Sequence, residues 1–476
     1  MIRESFCSTT LRICKIMKVH KTIDRTKPPK PAFPKGVSFP RYFSRTLKNR
    51  LKYFVVENHE LPIVTIGFIV KSGSAYDFEI PGLASLTAEL LTKGTRRRSA
   101  MEIAEEIDYL GGSLNSSANW DSSQIFLSVL KKHLNTGADI LQDVVLNPTF
   151  PPEEVNREKQ LRISEIKQMD ADPAYLTDKC FAKVIFGQHP YGQPALGTGE
   201  SVMSMSREDF VKFHRIHYTP DNSFLIFAGD INPSEAGRIV QNFFSKWGRS
   251  KQPIAQIPIP TSVHHASKIF LVDKPDAVQS TIKMGHLGIA RGNSDFVKVS
   301  VMNTLLGGYF SSRINTNIRE ARGYTYGARS AFEGRLAGGV FYVSADVRNE
   351  VTAEAIREIF NELKKLRETL PSKDEIKMVK NYLLGLFPIQ LETPQQVASR
   401  IITMELYGLS SSYYRRYREI IGKITSKDIQ KMAKKYIDPE GVYIVVTGNK
   451  DHIYSSLSNF GAVEICFDNT RPPTQL

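Results

Sequence analysis

The hydrophobic positions of this chain alternate between the period of a helix and the period of a strand. In Pro81–Thr95 the leucines recur at the i, i+3, i+7, i+8 spacing of a helix with one buried face. The pattern predicts a helix that starts at a glycine and has Gly94 as its C-terminal cap. Residues 51–72 contain two β-branched runs separated by a short polar turn, which predicts a β-hairpin.

The next long helix is predicted over residues 151–169. Two prolines and two glutamates favour a helix start there, and Val155, Leu161 and Ile166 form the apolar register that we expect to be buried. Between the two helices, residues 111–130 alternate apolar and polar side chains as strands do.

The order of predicted elements then occurs a second time. Residues 249–268 contain three prolines and no hydrophobic period, which is typical of a linker. The strand SFLIFAGDI closes the first half, and the similar strand GVYIVVTG closes the second. This repetition predicts a tandem duplication. The predicted organisation is a leader (1–38), a first domain (39–248), a linker (249–268), a second domain (269–465) and a tail (466–476).

The net charge of +14 does not indicate nucleic-acid binding, because most of it lies in residues 1–60, which include the basic leader. Residues 1–60 hold 14 Lys/Arg and 4 Asp/Glu, so the folded body carries little net charge. The basic leader resembles either a weak organelle transit peptide or an over-extended start, with translation beginning at Met17. We expect no nucleic-acid partner.

The cysteines and the hydropathy bear on the compartment. Four widely spread cysteines predict neither a disulfide framework nor a zinc ribbon, so the fold would tolerate a reducing compartment. The sequence contains no apolar run of 18 or more residues, so it predicts no transmembrane segment. These observations favour a cytoplasmic location and leave the periplasm or an organelle open.

The helix over 81–95, with Gly73-Ser74 before it and Gly111–Asn115 after it, resembles the catalytic region of the insulinase/pitrilysin peptidases. In that family this helix carries the zinc signature H-x-x-E-H. Here Ser85, Ala88 and Glu89 stand at the positions of the first histidine, the general base and the second histidine. The resemblance implies an α+β fold of two homologous domains like those of mitochondrial processing peptidase. Each would be a mostly antiparallel sheet packed with helices, and the two would form a clamshell.

The remaining acidic positions of the family pattern are retained. The third zinc ligand of the family matches Glu165, which lies 76 residues after Glu89, and a second glutamate matches Glu158. Zinc prefers nitrogen and sulfur ligands, so the pair Glu89 and Glu165 would hold at most a hard cation weakly. Alternatively, Glu158 and Glu165 are ordinary polar helix residues. Without a base at Ala88 we expect no peptide hydrolysis by this chain alone, and we expect no metal in it.

Histidines elsewhere do not replace the missing ligands. His214 and His217 are three residues apart on a predicted helix, and His264 and His265 lie in the predicted linker. Neither pair has a third ligand nearby in sequence, so we expect solvated side chains.

Two further features of the resemblance concern substrate. GGSLNSSANWD is similar to the family's edge strand, beside which substrate pairs as an added strand, and Asn115 is the expected contact. In the second half, Arg319 and Tyr326 match an Arg and a Tyr that reach the substrate at the zinc in active members. Both are donors able to stabilise a developing oxyanion. The alternative makes Arg319 a surface cation and Tyr326 a core residue of a strand.

The resemblance therefore implies a divided active site. The chain is similar to the zinc-less, Arg/Tyr-bearing subunit of a bacterial heterodimeric zinc peptidase that acts on unfolded peptides, with zinc bound by a homologous H-x-x-E-H partner. The alpha subunit of mitochondrial processing peptidase is disfavoured, since only Gly307-Gly308 represents its glycine-rich loop. Two alternatives stay open: an inert structural or peptide-binding subunit like the respiratory core subunits, and a lone peptidase with a metal at Glu89 and Glu165.

Overall fold

Two six-stranded sheets, each covered by helices, make up the part of the chain that the structure describes. The structure is a computed structural model, and it describes residues 37–249, 252–261 and 267–467 together with Thr26. Most of the predicted leader and most of the predicted tail lie outside these residues. Nothing in the structure tests the predicted domain boundaries, which stay predictions.

The first half follows the predicted order of elements. Its strands are β1 (Phe43–Thr46), β2 (Lys52–Glu57), β3 (Ile63–Val70), β4 (Ser113–Ala118), β5 (Ser123–Leu130) and β6 (Ser223–Gly229). Its helices are α1 (Leu83–Leu90), α2 (Ala100–Tyr109), α3 (Leu134–Leu146), α4 (Pro152–Met169), α5 (Pro173–Phe186), α6 (Gly199–Ser204), α7 (Arg207–His217) and α8 (Pro233–Phe244).

The second half repeats this order with two π-helical turns, Thr304–Gly308 and Thr316–Ala321. Its strands are β7 (Lys268–Asp273), β8 (Gln279–Gly288), β9 (Ala328–Gly334), β10 (Gly339–Arg348), β11 (Tyr443–Gly448) and β12 (Val463–Ile465). Its helices are α9 (Phe296–Asn303), α10 (Arg313–Asn315), α11 (Thr352–Glu368), α12 (Lys373–Ile389), α13 (Pro394–Leu406), α14 (Tyr413–Lys423), α15 (Ser426–Tyr436) and α16 (Lys450–Leu457). The hydrophobic pattern did not predict α14.

The strand order shows the duplication directly. The sheets run β1-β2-β6-β3-β5-β4 and β12-β7-β11-β8-β10-β9, so five strands occupy equivalent places in both. The predicted hairpin over residues 51–72 is wrong, because β6 lies between β2 and β3, parallel to the first and antiparallel to the second. Every residue of β6 is buried, and a central position satisfies its backbone on both sides. The mostly antiparallel, two-domain α+β fold is otherwise as predicted.

Each half also contributes a helix to the sheet of the other. Helix α5 of the first half packs on β11 and β8, whereas α13 of the second half packs on β6 and β2. Each sheet is thereby covered on a second face, and a third apolar cluster, which includes Phe181, Tyr191 and Tyr443, fills the junction. The two halves therefore share a core as well as having one each.

A disulfide crosses the same junction. Cys180 of α5 is bonded to Cys466, which follows β12, with Cα atoms 6.5 Å apart. The expectation that the cysteines form no disulfide is wrong, because residues 286 apart in sequence meet where α5 covers the second sheet. Within the described ranges, no helix is long and apolar enough to cross a bilayer.

Candidate functional site

Helix α1 starts in a tightly specified turn. Gly82 is its N-cap with φ of 93°, a left-handed conformation that favours glycine, and a Cβ there would lie 2.7 Å from the Leu196 carbonyl oxygen. The buried Asp77 accepts hydrogen bonds from the N–H groups of Gly82 and Ala84 at 2.8 and 2.7 Å. This cap satisfies donors that the first turn of a helix leaves free, and it sets the direction of α1.

The C-terminus of α1 differs from the prediction. The helix ends at Leu90 with Leu91 as C-cap, whereas Gly94, at φ of 141°, forms a bridge with Ser99. Gly94 also lies against Pro151, since a Cβ there would come within 2.8 Å of the proline ring. The glycine thus permits a close approach to the start of α4 rather than capping the helix.

The three positions that correspond to the zinc ligands of the family surround an arginine. Ser85 and Glu89 are one turn apart on α1, and the Arg162 side chain of α4 lies between them and Glu165. Arg162 Nη1 donates to Ser85 Oγ at 3.2 Å, Nη2 donates to Glu89 Oε1, and Nε lies 3.0 Å from Glu165 Oε2. Only 1% of the Arg162 side chain is exposed.

The sequence analysis assigned the wrong face of α4 to the core. The buried residues of this helix are Val155, Glu158, Arg162 and Ile166, whereas Leu161 is 56% exposed. The spacing of these four residues is that of one helix face, but two of them are charged, so an apolar pattern does not find them. The available signal was the pair Arg162 and Glu165, three residues apart, which on its own indicates only a surface ion pair.

Glu158 belongs to a neighbouring set of charges. Lys93 Nζ lies 3.0 Å from Glu158 Oε1, and Arg157 Nη2 lies 3.2 Å from the same atom.

The pKa of Glu89 is raised above its ordinary value, chiefly by burial. The positive charge of Arg162 opposes this increase, and the negative charges of Glu165 and Glu158 add to it. The structure therefore brings Ser85, Glu89 and Glu165 together around Arg162. Glu158 pairs instead with Lys93 and Arg157.

These residues do not fit the zinc site of the family. A hydroxyl and a carboxylate replace the two imidazoles of the family at Ser85 and Glu89, and both groups and the Glu165 carboxylate engage the Arg162 guanidinium. Ala88 is fully buried and has no titratable group, and its carbonyl accepts from Ser116 Oγ at 2.6 Å. A metal bound by Glu89 and Glu165 would have to displace an internal arginine, so the lone-peptidase alternative loses its physical basis.

A groove of about 760 Å³ lies beside Lys93 and Arg157, the two cations that pair with Glu158. It is lined by the residues after α1, by α2, by the start of α4 and by β4, which is the edge strand of the first sheet. Asn115 is exposed on β4 and lines the groove. The Ser116 hydrogen bond described above ties this strand to α1. An extended peptide could add to this edge next to the former metal position.

Arg319 and Tyr326 are accessible on the second half. Arg319 lies in the π-helical turn Thr316–Ala321. Its guanidinium carbon is 4.5 Å from the centre of the Phe310 ring, and its side chain is 34% exposed. Tyr326 is 91% exposed in the loop before β9 rather than on a strand, so the core-residue alternative for it is wrong.

The structure does not join this pair to the Arg162 cluster. Among the residues it describes, no hydrogen bond or ion pair links Arg319 or Tyr326 to each other or to Ser85, Glu89 or Glu165. One contact that holds the segment is made by Arg313, whose Nε and Nη2 donate to the two carboxylate oxygens of Glu375 at 2.7 and 3.1 Å. This bidentate ion pair fixes Arg313, at the start of the segment that contains Arg319, against α12.

The expectation of solvated histidines on α7 is wrong, because His217 is buried and His214 is half-buried with its ring hydrogen-bonded inside the protein. His214 Nε2 donates to the Val145 carbonyl at 2.8 Å, and His217 Nδ1 lies 2.9 Å from Ser72 Oγ. Burial lowers the pKa of each imidazole to about 4. They are neutral core residues at pH 7. His264 and His265 lie outside the described residues.

Comparison with known proteins identifies the family. The profile of the insulinase family (peptidase family M16) matches residues 53–199, and the profile of the peptidase M16 inactive domain matches residues 204–383. An uncharacterized zinc protease of Mycobacterium tuberculosis is 30% identical over 357 residues, covering 75% of this chain and 81% of the relative. The chain belongs to the insulinase family. The resemblance inferred from residues 73–115 is thus confirmed.

Two solved structures have the same fold as this chain. A peptidase M16 inactive domain from Pseudomonas fluorescens matches with a TM-score of 0.81 and 25% identity, covering 86% of this chain and 98% of that one. The first half of the periplasmic protease PqqL from Escherichia coli matches with a TM-score of 0.73 at 16% identity, covering 88% and 94%. In this chain, Arg162 lies among the positions that correspond to zinc ligands of the family.

Proposed function

We propose that this insulinase-family chain is the non-catalytic subunit of a heterodimeric zinc metalloendopeptidase. In this proposal it binds unfolded peptides and supplies Arg319 and Tyr326 to an active site whose zinc is held by the H-x-x-E-H motif of a homologous partner. The zinc would polarise the scissile carbonyl and activate water on that partner.

The observation that carries the proposal is the unequal state of the two halves. In the first half, Arg162 engages Ser85, Glu89 and Glu165, which leaves no open position for a catalytic water. In the second half, Tyr326 is 91% exposed, although a phenol without a partner has no structural reason to be there. A chain that only supported a complex would not need the exposed Tyr326.

The surroundings of Arg319 support a role toward substrate. The Phe310 ring is itself 63% exposed, so the contact between the two side chains lies on the surface and does not serve the core. A guanidinium and a phenol seven residues apart could approach one carbonyl oxygen and stabilise the charge that develops on it. Asn115 and the groove beside β4 would hold the peptide backbone.

Reconstitution with an H-x-x-E-H homologue from the same genome tests the proposal. The pair should cleave an unfolded fluorogenic peptide in a chelator-sensitive way, whereas this chain alone should not. Arg319→Ala and Tyr326→Phe should each lower kcat/KM of the pair by about 100-fold, the scale for losing one oxyanion donor. The expected loss is in kcat rather than in assembly, which size-exclusion chromatography measures.

Matched controls separate this role from general surface effects. Arg357→Ala removes another half-exposed helix arginine, and Tyr109→Phe removes the hydroxyl of another tyrosine, 86% exposed. Both should leave kcat/KM unchanged. Unaltered kinetics for Arg319→Ala would contradict the proposed role. Stable assembly without chelator-sensitive cleavage would favour the inert structural subunit instead.

We also propose that the protein is located in an oxidising compartment. Disulfides persist in secreted and periplasmic proteins and are rare in the cytosol, so the bond between Cys180 and Cys466 supports such a location over the cytoplasm that the composition favoured. PqqL, a protein of the same fold, is periplasmic. Non-reducing mass spectrometry of the protein isolated from its native cells, after thiol blocking at lysis, tests this part.

A further inference from the structure

Arg162 is in an unusual position for an arginine. It is 2% exposed, and it is among the largest fully buried side chains of the described residues. Its partners come from three segments, since Ser85 and Glu89 lie on α1, Glu165 lies on α4, and the Leu196 carbonyl oxygen accepts from Nη1 at 3.3 Å. A guanidinium stays charged at any accessible pH and directs its donors in a fixed plane. It therefore crosslinks the two helices permanently.

The two carboxylates depend on this arginine. Lys93 and Arg157, the neighbouring cations, both pair with Glu158. In the part of the chain that the structure describes, Arg162 is the cation that contacts Glu89 and Glu165. Without it, the partly exposed carboxylates of Glu89 and Glu165 would face each other across the position that Arg162 fills, and their repulsion would oppose the packing of α1 on α4.

We infer that Arg162 is a built-in substitute for a metal ion. Its guanidinium neutralises the acidic positions that remain from the metal site and joins α1 to α4, and its bulk excludes metals from the same space. Removing it should therefore create a site for a hard divalent cation, since a hydroxyl and two carboxylates are oxygen donors of the kind that Ca²⁺ or Mn²⁺ accept. The inference concerns this chain alone and stands whether or not the proposed heterodimer exists.

Thermal unfolding of the full chain tests the inference. The melting temperature of the wild type should not change when EDTA is added, or when CaCl2 or MnCl2 is added at about 10 mM. Arg162→Ala should lower it by about 5 °C or more, and Ca²⁺ or Mn²⁺ should restore part of the loss. Isothermal titration should give a dissociation constant of about 0.1–1 mM for the variant, the range of weak oxygen-ligand sites.

Two variants check that the response comes from this cluster. The double variant Arg162→Ala with Glu165→Gln keeps the space but removes one carboxylate, and it should lose the response to cations. Arg157→Ala removes an exposed arginine of the same helix that pairs with Glu154 and Glu158, and it should remain insensitive to cations.

Arg162→Gln covers the case in which the alanine variant does not fold, because glutamine can hydrogen-bond to Ser85 but carries no charge. The same recovery with Ca²⁺ or Mn²⁺ is expected for it. The inference is overturned if neither variant gains stability from a cation, or if EDTA lowers the melting temperature of the wild type.

Discussion

The phenolic hydroxyl of Tyr407 donates a hydrogen bond to Asp121 Oδ2 at 3.0 Å, and this bond joins the two halves of the chain. Asp121 lies in the turn between β4 and β5, whereas Tyr407 follows α13. The same carboxylate accepts from the Tyr191 hydroxyl at 2.6 Å and from the Leu336 N–H at 3.0 Å. One buried acid therefore satisfies donors from both halves, and it holds the β4–β5 turn against the turn between β9 and β10.

Asp121→Asn should destabilise the chain because an amide cannot replace this carboxylate. Asparagine has one acceptor oxygen and directs an NH2 group toward donors, so a buried hydroxyl or N–H loses its partner. We expect a loss of about 2–4 kcal/mol in the free energy of unfolding, measured by urea denaturation. Asp276→Asn changes an exposed aspartate and should have little effect. Equal stability of both variants would rule out the anchoring role.

The Arg313–Glu375 ion pair predicts a specific loss of stability in acid. Burial alone would raise the pKa of Glu375, but hydrogen bonds from Arg313 and from the Ser372 N–H outweigh it and lower the pKa to about 2. Because the folded pKa lies below the ordinary value of 4.5, the contribution is complete above pH 4.5 and is lost as the pH falls toward 2.

Glu375→Gln should remove this acid-dependent contribution. The carboxylate is only partly buried, so solvent screening limits the expected loss at pH 7 to about 1 kcal/mol. Glutamine can still accept from the Ser372 N–H, so the capping box of α12 is preserved. Urea denaturation at pH 7, 4.5 and 3 checks the prediction. If wild type and variant show the same dependence on pH, then another group causes the acid sensitivity.

Phe310→Leu should weaken the proposed action of Arg319 without unfolding the protein. The ring is exposed, so its main loss is the contact with the guanidinium, worth about 0.5–1 kcal/mol at a surface site. If the heterodimer forms as proposed, kcat/KM of the pair should fall by about 2–5-fold. Phe310→Trp should retain activity. In the Arg319→Ala background, Phe310→Leu should cause no further loss, and an additive loss would show that the ring acts independently.

Reduction of the Cys180–Cys466 disulfide should destabilise the junction of the halves. The bond closes a loop of 286 residues, and we expect its loss to cost about 2–5 kcal/mol. Differential scanning calorimetry with and without dithiothreitol measures the effect. A Cys180→Ala, Cys466→Ala variant is the control, since its melting temperature should not respond to the reductant. The number of thiols that can be alkylated in the wild type under denaturing conditions should rise by two on reduction.

The sequence alone determined the family, the tandem repeat and most elements of the fold. The leucine spacing at 83–91 and the strand SFLIFAGDI are local patterns, and a helix or strand follows from the period of its own side chains. The replacement of the two family histidines by Ser85 and Glu89 is likewise visible in a short stretch of sequence. For such features, neighbours in the chain carry the information.

Only the tertiary structure decided which elements are neighbours and which charges are buried. Period-2 patterns predicted β2 and β3 but not that β6 separates them, since strand order depends on long-range burial. Arg162 had the sequence context of a solvated helix residue, and it became a cation among former ligand positions only when α4 packed on α1. Cys180 and Cys466 lie close enough to bond only because α5 of the first half packs on the sheet of the second half. In each case the deciding interaction joins residues that are distant in sequence, and its energy arises from burial that no local pattern encodes.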